Sequence, residues 1–150
     1  MGIVVAIDGP SGAGKSSTAK AIATRAGWNY LDTGALYRAV TWLALEHKCE
    51  EPFSILQAIK DHPIKFNADP LDPHVFAGDV QITHSIRGTS VTENVSRISA
   101  MPEIRRELLN LQHRIIDGAE RGIVVEGRDI GTVVAPVSYT HLTLPTIYSV

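Results

Sequence analysis

The sequence has a single cysteine, Cys49, and it has neither a long apolar run nor an excess of positive charge. One cysteine excludes a disulfide within the chain and suits a reducing compartment. No apolar run reaches the roughly 18 residues that cross a membrane, and the N-terminus lacks the pattern of a signal peptide. The formal net charge is −2, which provides no bulk field for nucleic acid or anionic lipid. We therefore expect a cytoplasmic protein with no nucleic acid or membrane partner. We also expect a monomer whose partners are small molecules, although these features do not themselves determine the oligomeric state.

What the sequence does contain is an alternation of strand and helix patterns. Short apolar runs rich in β-branched residues alternate with segments whose apolar residues recur at helical spacing. A strand pattern lies at 2–8, and strands that lead into turns lie at 28–34 and 122–132. Helical patterns lie at 15–26, 34–47, 53–61, 89–101 and 102–122, and Gly118 or Gly122 suits the end of the last one. This order predicts an α/β fold with a parallel sheet flanked by helices. Between residues 62 and 95 the pattern instead predicts a small antiparallel insert, with Gly78-Asp79 as a hairpin turn.

The segment "GPSGAGKS" at residues 9–16 matches the phosphate-binding loop pattern G-x-x-x-x-G-K-S in full. In this pattern backbone N–H groups and a helix N-terminus face phosphate oxygens, the lysine reaches the β and γ phosphates, and the serine ligates Mg²⁺. A glycine-rich turn with an incidental lysine is the alternative. The position of the motif between a predicted strand and a predicted helix favours a binding site for a nucleoside triphosphate, of the P-loop NTPase type.

Other features favour a small-molecule kinase within that class. The base-reading segment N-K-x-D of GTPases is missing, and a motor or transporter ATPase is normally larger. Ligands of parallel sheets collect beyond the carboxyl ends of the strands, where Arg38 and Arg128 could bind a second phosphate. The alternatives are a solvated helix face for Arg38 and a local ion pair with Asp129 for Arg128. Glu126 ends an apolar strand and could hold a magnesium-bound water, although an acid there is also commonly just solvated.

Four ordered motifs together resemble the bacterial cytidylate kinase family. They are "DGPSGAGKSS", "LDTGALYRAVT", the spaced "SIRG…VS…P.IR" and "VVEGRDIGTVV", and they cover residues 1 to about 135. The resemblance implies transfer of the γ-phosphate of ATP to CMP or dCMP, with Mg²⁺ as the cofactor. Another small-molecule P-loop kinase is the alternative within the same chemistry.

The resemblance also implies a role for each matching residue. The residues that would bind the ATP phosphates are Gly9, Pro10, Ser11, Gly12, Ala13, Gly14, Lys15, Ser16 and Ser17. Lys15 and Arg128 would support the migrating phosphoryl group, and Ser16 would hold Mg²⁺. The residues that would bind CMP are Thr33, Tyr37, Arg38, Ser96, Arg105, Arg128 and Asp129, with Arg87 as a weaker candidate. Of these, Ser96, Arg105 and Asp129 would read the cytosine.

The C-terminal segment departs from the family pattern. Residues 130–150 contain no Asp, Glu, Lys or Arg, and residues 136–150 have neither a helical period nor a clean strand alternation. Family members continue past the "GRDIGTVV" motif with further strands and a lid that bears arginines. We therefore expect a kinase domain over residues 1–135 that is incomplete at its C-terminus, and a tail over 136–150 outside the native fold. A nucleotide-binding fragment without turnover is the alternative function.

Overall fold

A computed structural model describes residues 2–9 and 14–127, and the backbone of 139–143. The chain divides into two compact units. The first contains residues 1–33, 68–73 and 111–150, and the second contains residues 34–67 and 74–110. Each unit has a sheet of its own.

The first unit is built on a parallel four-stranded sheet in the order β2-β6-β1-β7. Its strands are β1 (Ile3–Asp8), β2 (Asn29–Asp32), β6 (Gly122–Gly127) and β7 (Tyr139–Thr143). Every residue of β6 is buried, and so are the four central residues of β1. Burial on both faces explains why these strands are continuous apolar runs in the sequence.

Helix α1 (Lys15–Ala26) follows β1 and packs against β2 and β6. Its buried residues are the small Ala19 and Ala23, which allow the helix to approach the sheet closely. Gly14 and Gly27 bound the helix with φ of 81° and 71°. These left-handed conformations favour glycine, so the sequence marks both ends of the helix.

The second unit contains several helices and a three-stranded antiparallel sheet in the order β3-β4-β5. Its strands are β3 (Ile64–Asn67), β4 (His74–Ala77) and β5 (Val80–Gln81). Its helices are α2 (Thr33–Glu46, from residue 34), α3 (Pro52–Asp61), a short 3₁₀ helix (Ser85–Arg87), α4 (Thr89–Ser99) and the first part of α5 (Pro102–Asp117). Gly78 has a φ of 60° in the hairpin between β4 and β5. The predicted antiparallel insert and its turn are confirmed.

The predicted parallel sheet flanked by helices is also confirmed, and α1 has the predicted bounds. Two elements were not predicted: the 3₁₀ helix, and strand β7, which pairs with β1 from Val4 to Asp8. Parallel pairing uses backbone N–H and C=O groups, so a segment without clear side-chain alternation can still form a strand. That residues 136–150 lie outside the native fold stays a prediction, as does the extent of the kinase domain. In the described part of the chain, no helix combines the length and apolar character needed to cross a membrane.

Candidate functional site

The candidate phosphate-binding loop connects β1 to α1 in the first unit. Gly9 has a φ of 157° directly after β1, and the loop ends at Gly14, whose carbonyl accepts the N–H of Thr18 at 3.1 Å. Lys15 is therefore the first residue of the helix and Ser16 the second, where backbone amides have no partner within the helix. Lys15 is half-buried, whereas Ser16 and Ser17 are exposed. Pro10, Ser11, Gly12 and Ala13 lie outside the described residues.

Two acids lie side by side at the carboxyl ends of neighbouring strands. Asp32 of β2 pairs in register with Glu126 of β6, and Glu126 pairs with Ile7 of β1 on its other side. Paired residues of parallel strands present their side chains to the same face of a sheet. Glu126 is only 2% exposed. The alternative of a solvated acid at a strand end therefore does not describe Glu126, and its role in holding a magnesium-bound water stays a prediction.

Glu126 is surrounded by groups that act on its charge. Burial raises the pKa of the Glu126 carboxyl, and the neighbouring charge of Asp32 raises it further. Hydrogen bonds with Tyr30 and Ser16, and the positive charge of Lys15, act in the opposite direction on this pKa. The Tyr30 hydroxyl donates a hydrogen bond to Glu126 Oε1. Burial, Asp32 and Glu126 together raise the pKa of Tyr30, so its phenol stays protonated and remains a donor.

These groups fit a magnesium site. Mg²⁺ is bound by one or two carboxylates together with waters and substrate phosphates. Ser16 supplies a hydroxyl, Asp32 and Glu126 supply carboxylates, and a cation beside them would offset the repulsion between the two acids. No group of three or more His, Cys, Asp or Glu able to hold a metal occurs among the described residues. The phosphates of a nucleotide would therefore have to complete the coordination.

Thr33 binds the backbone of the same strand. Its side chain is 4% exposed, and its Oγ1 donates to the carbonyl of Glu126 at 2.9 Å. The hydroxyl thus connects the beginning of α2 to the end of β6. The resemblance implies a role for Thr33 in binding CMP, and this hydrogen bond gives it a structural role as well.

In the second unit, Arg38 is held by two hydrogen bonds. Its Nη1 donates to the carbonyl of Ile86 and to Oγ1 of Thr92, each at 3.1 Å. Arg38 is half-buried and held by these bonds, so it is not a freely solvated residue of a helix face; its role in binding phosphate stays a prediction. An arginine has several N–H donors, and these two bonds use only those of one nitrogen. The two bonds therefore also fix the direction in which the other guanidinium nitrogens, Nε and Nη2, point.

The structure gathers some of the predicted residues and leaves others on separate elements. Within the first unit, Lys15 and Ser16 both lower the pKa of the Glu126 carboxyl, Ser16 through a hydrogen bond and Lys15 through its positive charge. Tyr37 is half-buried on α2, whereas Ser96 on α4, Arg105 on α5 and Arg87 are exposed. Arg128 and Asp129 lie outside the described residues.

Ser16, Tyr30, Asp32 and Glu126 form what we call the acid cluster. Sequence analysis missed two of its members, Tyr30 and Asp32. Both lie in the segment that precedes the predicted helix at residue 34, two positions apart on one strand. A period of two along a strand brings side chains to the same face. The spacing of Tyr30 and Asp32 on one strand could therefore have indicated that both side chains lie on the same face of the sheet.

Comparisons with known proteins show the family of the chain. The family model described as cytidylate kinase matches residues 5–144. The chain belongs to the cytidylate kinase family. It is 50% identical over 137 residues to the cytidylate kinases of Streptococcus pneumoniae (strain 70585), Streptococcus sanguinis (strain SK36) and Streptococcus thermophilus (strain ATCC BAA-491 / LMD-9). Each alignment covers 89% of this chain and 60% of the relative. The chain thus spans 60% of the length of these cytidylate kinases.

Proposed function

We propose that the protein transfers the γ-phosphoryl group of ATP to CMP or dCMP, giving CDP or dCDP. The observation that carries the proposal is the grouping of Lys15, Ser16 and Glu126 beside the phosphate-binding loop. The relatives are named for cytidylate, which supports a cytidine nucleotide as the acceptor. The polypeptide would be an ATP-dependent nucleoside monophosphate kinase.

The ATP phosphates would be bound by residues 9–17. The N-terminus of α1 presents backbone amides and the positive end of the helix dipole to an anion. Lys15, at the first position of this helix, would contact the β and γ phosphates. Mg²⁺, held through Ser16 and through a water on Glu126, would neutralise charge on the migrating group.

The acceptor would be bound by residues that follow the other strands. Arg38 and Arg128 would bind the CMP phosphate, and arginine pairs with phosphate through two parallel hydrogen bonds. The hydrogen bonds of Arg38 to Ile86 and Thr92 support this role, because they fix the guanidinium before the substrate arrives. Thr33 and Tyr37 would line the acceptor pocket. Ser96, Arg105 and Asp129 would read the donors and acceptors of the cytosine edge.

The reaction needs alignment and charge neutralisation more than covalent chemistry. The donor and acceptor phosphates must lie in line, and the charge on the equatorial oxygens must be balanced. Lys15 and the arginines would supply that balance from the protein. No nucleophilic side chain and no phosphorylated enzyme intermediate are required.

Binding and turnover are best tested separately, because the chain spans 60% of the length of its relatives. The binding test is calorimetric titration of the purified chain with CMP, with AMP and UMP as controls. The turnover test is CDP formation from ATP and CMP with Mg²⁺. Preference for CMP in both supports the proposal. Preference for AMP or UMP would indicate a different kinase, and CMP binding without CDP formation would indicate a binding fragment.

A further inference from the structure

Tyr30 occupies a buried position directly beside the acid pair. It pairs in register with Val124 of β6, two residues before the Asp32–Glu126 pair, so its side chain lies on the same face as both acids. Tyr30 is 1% exposed, and its hydroxyl donates to Glu126 Oε1. The ring therefore extends along the sheet and ends at the carboxylate.

Two residues of helix α1 also interact with Tyr30. The Nζ of Lys20 lies 5.7 Å from the centroid of the Tyr30 ring, within the range of a cation–π interaction. Ser16, one helical turn before Lys20, interacts with both the Tyr30 hydroxyl and the Glu126 carboxylate. Residues at i and i+4 share one face of a helix, so a single face of α1 lies against both the ring and the hydroxyl of Tyr30.

Burying the Tyr30 hydroxyl costs free energy that burying the aromatic ring alone would not. A phenylalanine would fill the same volume, whereas a phenol buried beside a carboxylate must be desolvated and compensated by a hydrogen bond. Here the compensating partner is Glu126. The side chain of Glu126 has several rotatable bonds and lies beside Asp32, so the buried donor on Tyr30 orients Oε1 alongside the more exposed Ser16.

We propose that Tyr30 is a positioning residue whose hydroxyl holds the Glu126 carboxylate in the orientation that receives Mg²⁺ bound to ATP. This role rests on the proposed function. Groups that orient metal-binding side chains typically change metal affinity roughly 10- to 100-fold when they are removed. Tyr30 itself would contact neither the nucleotide nor the metal.

The test compares ATP binding with and without Mg²⁺ by calorimetry. In Tyr30→Phe the ring remains and only the hydroxyl is lost. We expect metal-free ATP affinity to stay within a factor of about two, while the Mg²⁺ concentration required for tight ATP binding rises roughly tenfold. If Tyr30 served packing alone, its replacement would lower ATP affinity with and without Mg²⁺ equally, or would change neither.

Thr41→Val is the matched control. Thr41 is fully buried in the second unit, and its hydroxyl donates to the Tyr37 carbonyl at 2.8 Å. Its loss removes a buried hydroxyl of the same kind and should leave the Mg²⁺ requirement unchanged. If Tyr30→Phe does not fold well enough for titration, Tyr30→Met fills the space with a flexible apolar side chain and should raise the requirement equally.

A double variant tests whether Tyr30 acts through Glu126. Adding Tyr30→Phe to Glu126→Gln should cause no further rise in the Mg²⁺ requirement. An unchanged requirement in the single Tyr30 variants, or a fully additive effect in the double variant, would overturn the positioning role. Wild-type protein that binds no ATP at all would instead overturn the proposed function itself.

Discussion

Thr33 and Glu126 are joined by a hydrogen bond between the side chain of one and the backbone of the other, 93 positions apart in the sequence. Tyr30 binds the side chain of the same glutamate. Residues at the end of β2 and the start of α2 therefore hold Glu126 at both its carbonyl and its carboxylate. The last residues of β6, which precede Arg128 and Asp129, are thereby fixed to β2.

Removing the Thr33 hydroxyl should destabilise the protein. Thr33→Val keeps the shape and leaves a buried carbonyl without this donor, at a cost of about 1–3 kcal/mol. Urea denaturation measures the change. Thr33→Ser keeps a hydroxyl and should lose less; equal losses in the two variants would mean that the methyl group, not the hydrogen bond, matters.

Gly122 should not tolerate a side chain. A Cβ there would lie 2.7 Å from Cδ2 of Trp28, and β6 is buried throughout. Gly122→Ala should lower the free energy of unfolding by about 1–3 kcal/mol through overpacking. Gly118→Ala is the control, because its nearest contact would be a carbonyl oxygen of Arg114 at 3.4 Å. Similar stability of the two variants would show that Trp28 moves aside without cost.

Lys15 should be required for binding ATP phosphates. Hydrogen bonds to charged groups contribute about 1.5–3 kcal/mol, so Lys15→Ala should weaken ATP binding roughly 10- to 100-fold. Lys60→Ala removes an exposed lysine from α3 and controls for net charge. Calorimetry with Mg-ATP is the measurement, and an affinity equal to that of the Lys60 variant would contradict the role of Lys15.

Asp129 should discriminate between the two nucleotides. As a reader of the cytosine edge it would contact CMP and not ATP, so Asp129→Ala should weaken CMP binding far more than ATP binding. Parallel titrations with each nucleotide measure this. Equal losses for both would count against base recognition by Asp129.

The stability of the nucleotide-free protein should depend on pH through Glu126. Its pKa is raised in the folded protein by burial and by Asp32, so the folded state binds this proton more tightly than the unfolded chain does. The group therefore opposes folding when ionised, and that cost falls as the pH decreases through the raised pKa toward the ordinary value of 4.5. Glu126→Gln should accordingly be more stable than wild type near about pH 8, with the difference shrinking toward about pH 5.

Urea denaturation without Mg²⁺ or nucleotide over this pH range measures the effect. Glu103→Gln, an exposed residue on α5, controls for the change in net charge. A difference between wild type and Glu126→Gln that is constant with pH would show that the carboxyl does not titrate as its burial requires.

Local features of the fold could be predicted from the sequence. The bounds of α1 at Gly14 and Gly27, the start of α5 at Pro102 and the hairpin at Gly78 depend on residues within a few positions of one another. These elements follow from local constraints. Glycine adopts a left-handed backbone conformation without steric cost, proline fits the first helical turn because it has no N–H to satisfy, and apolar spacing follows the period of the helix or strand. Those constraints hold before the chain folds, so the sequence alone determined these elements.

The composition of the acid cluster was decided only by the tertiary structure. Tyr30 and Glu126 are 96 positions apart, and they meet because β6 inserts between β2 and β1 in one particular register. Strand order and register depend on how the whole intervening chain packs, and a shift of one residue would turn each side chain to the opposite face. The sequence by itself determined where α1 begins and ends. The tertiary structure decided which tyrosine and which second acid lie beside Glu126, because those neighbours come from strands that no local pattern pairs.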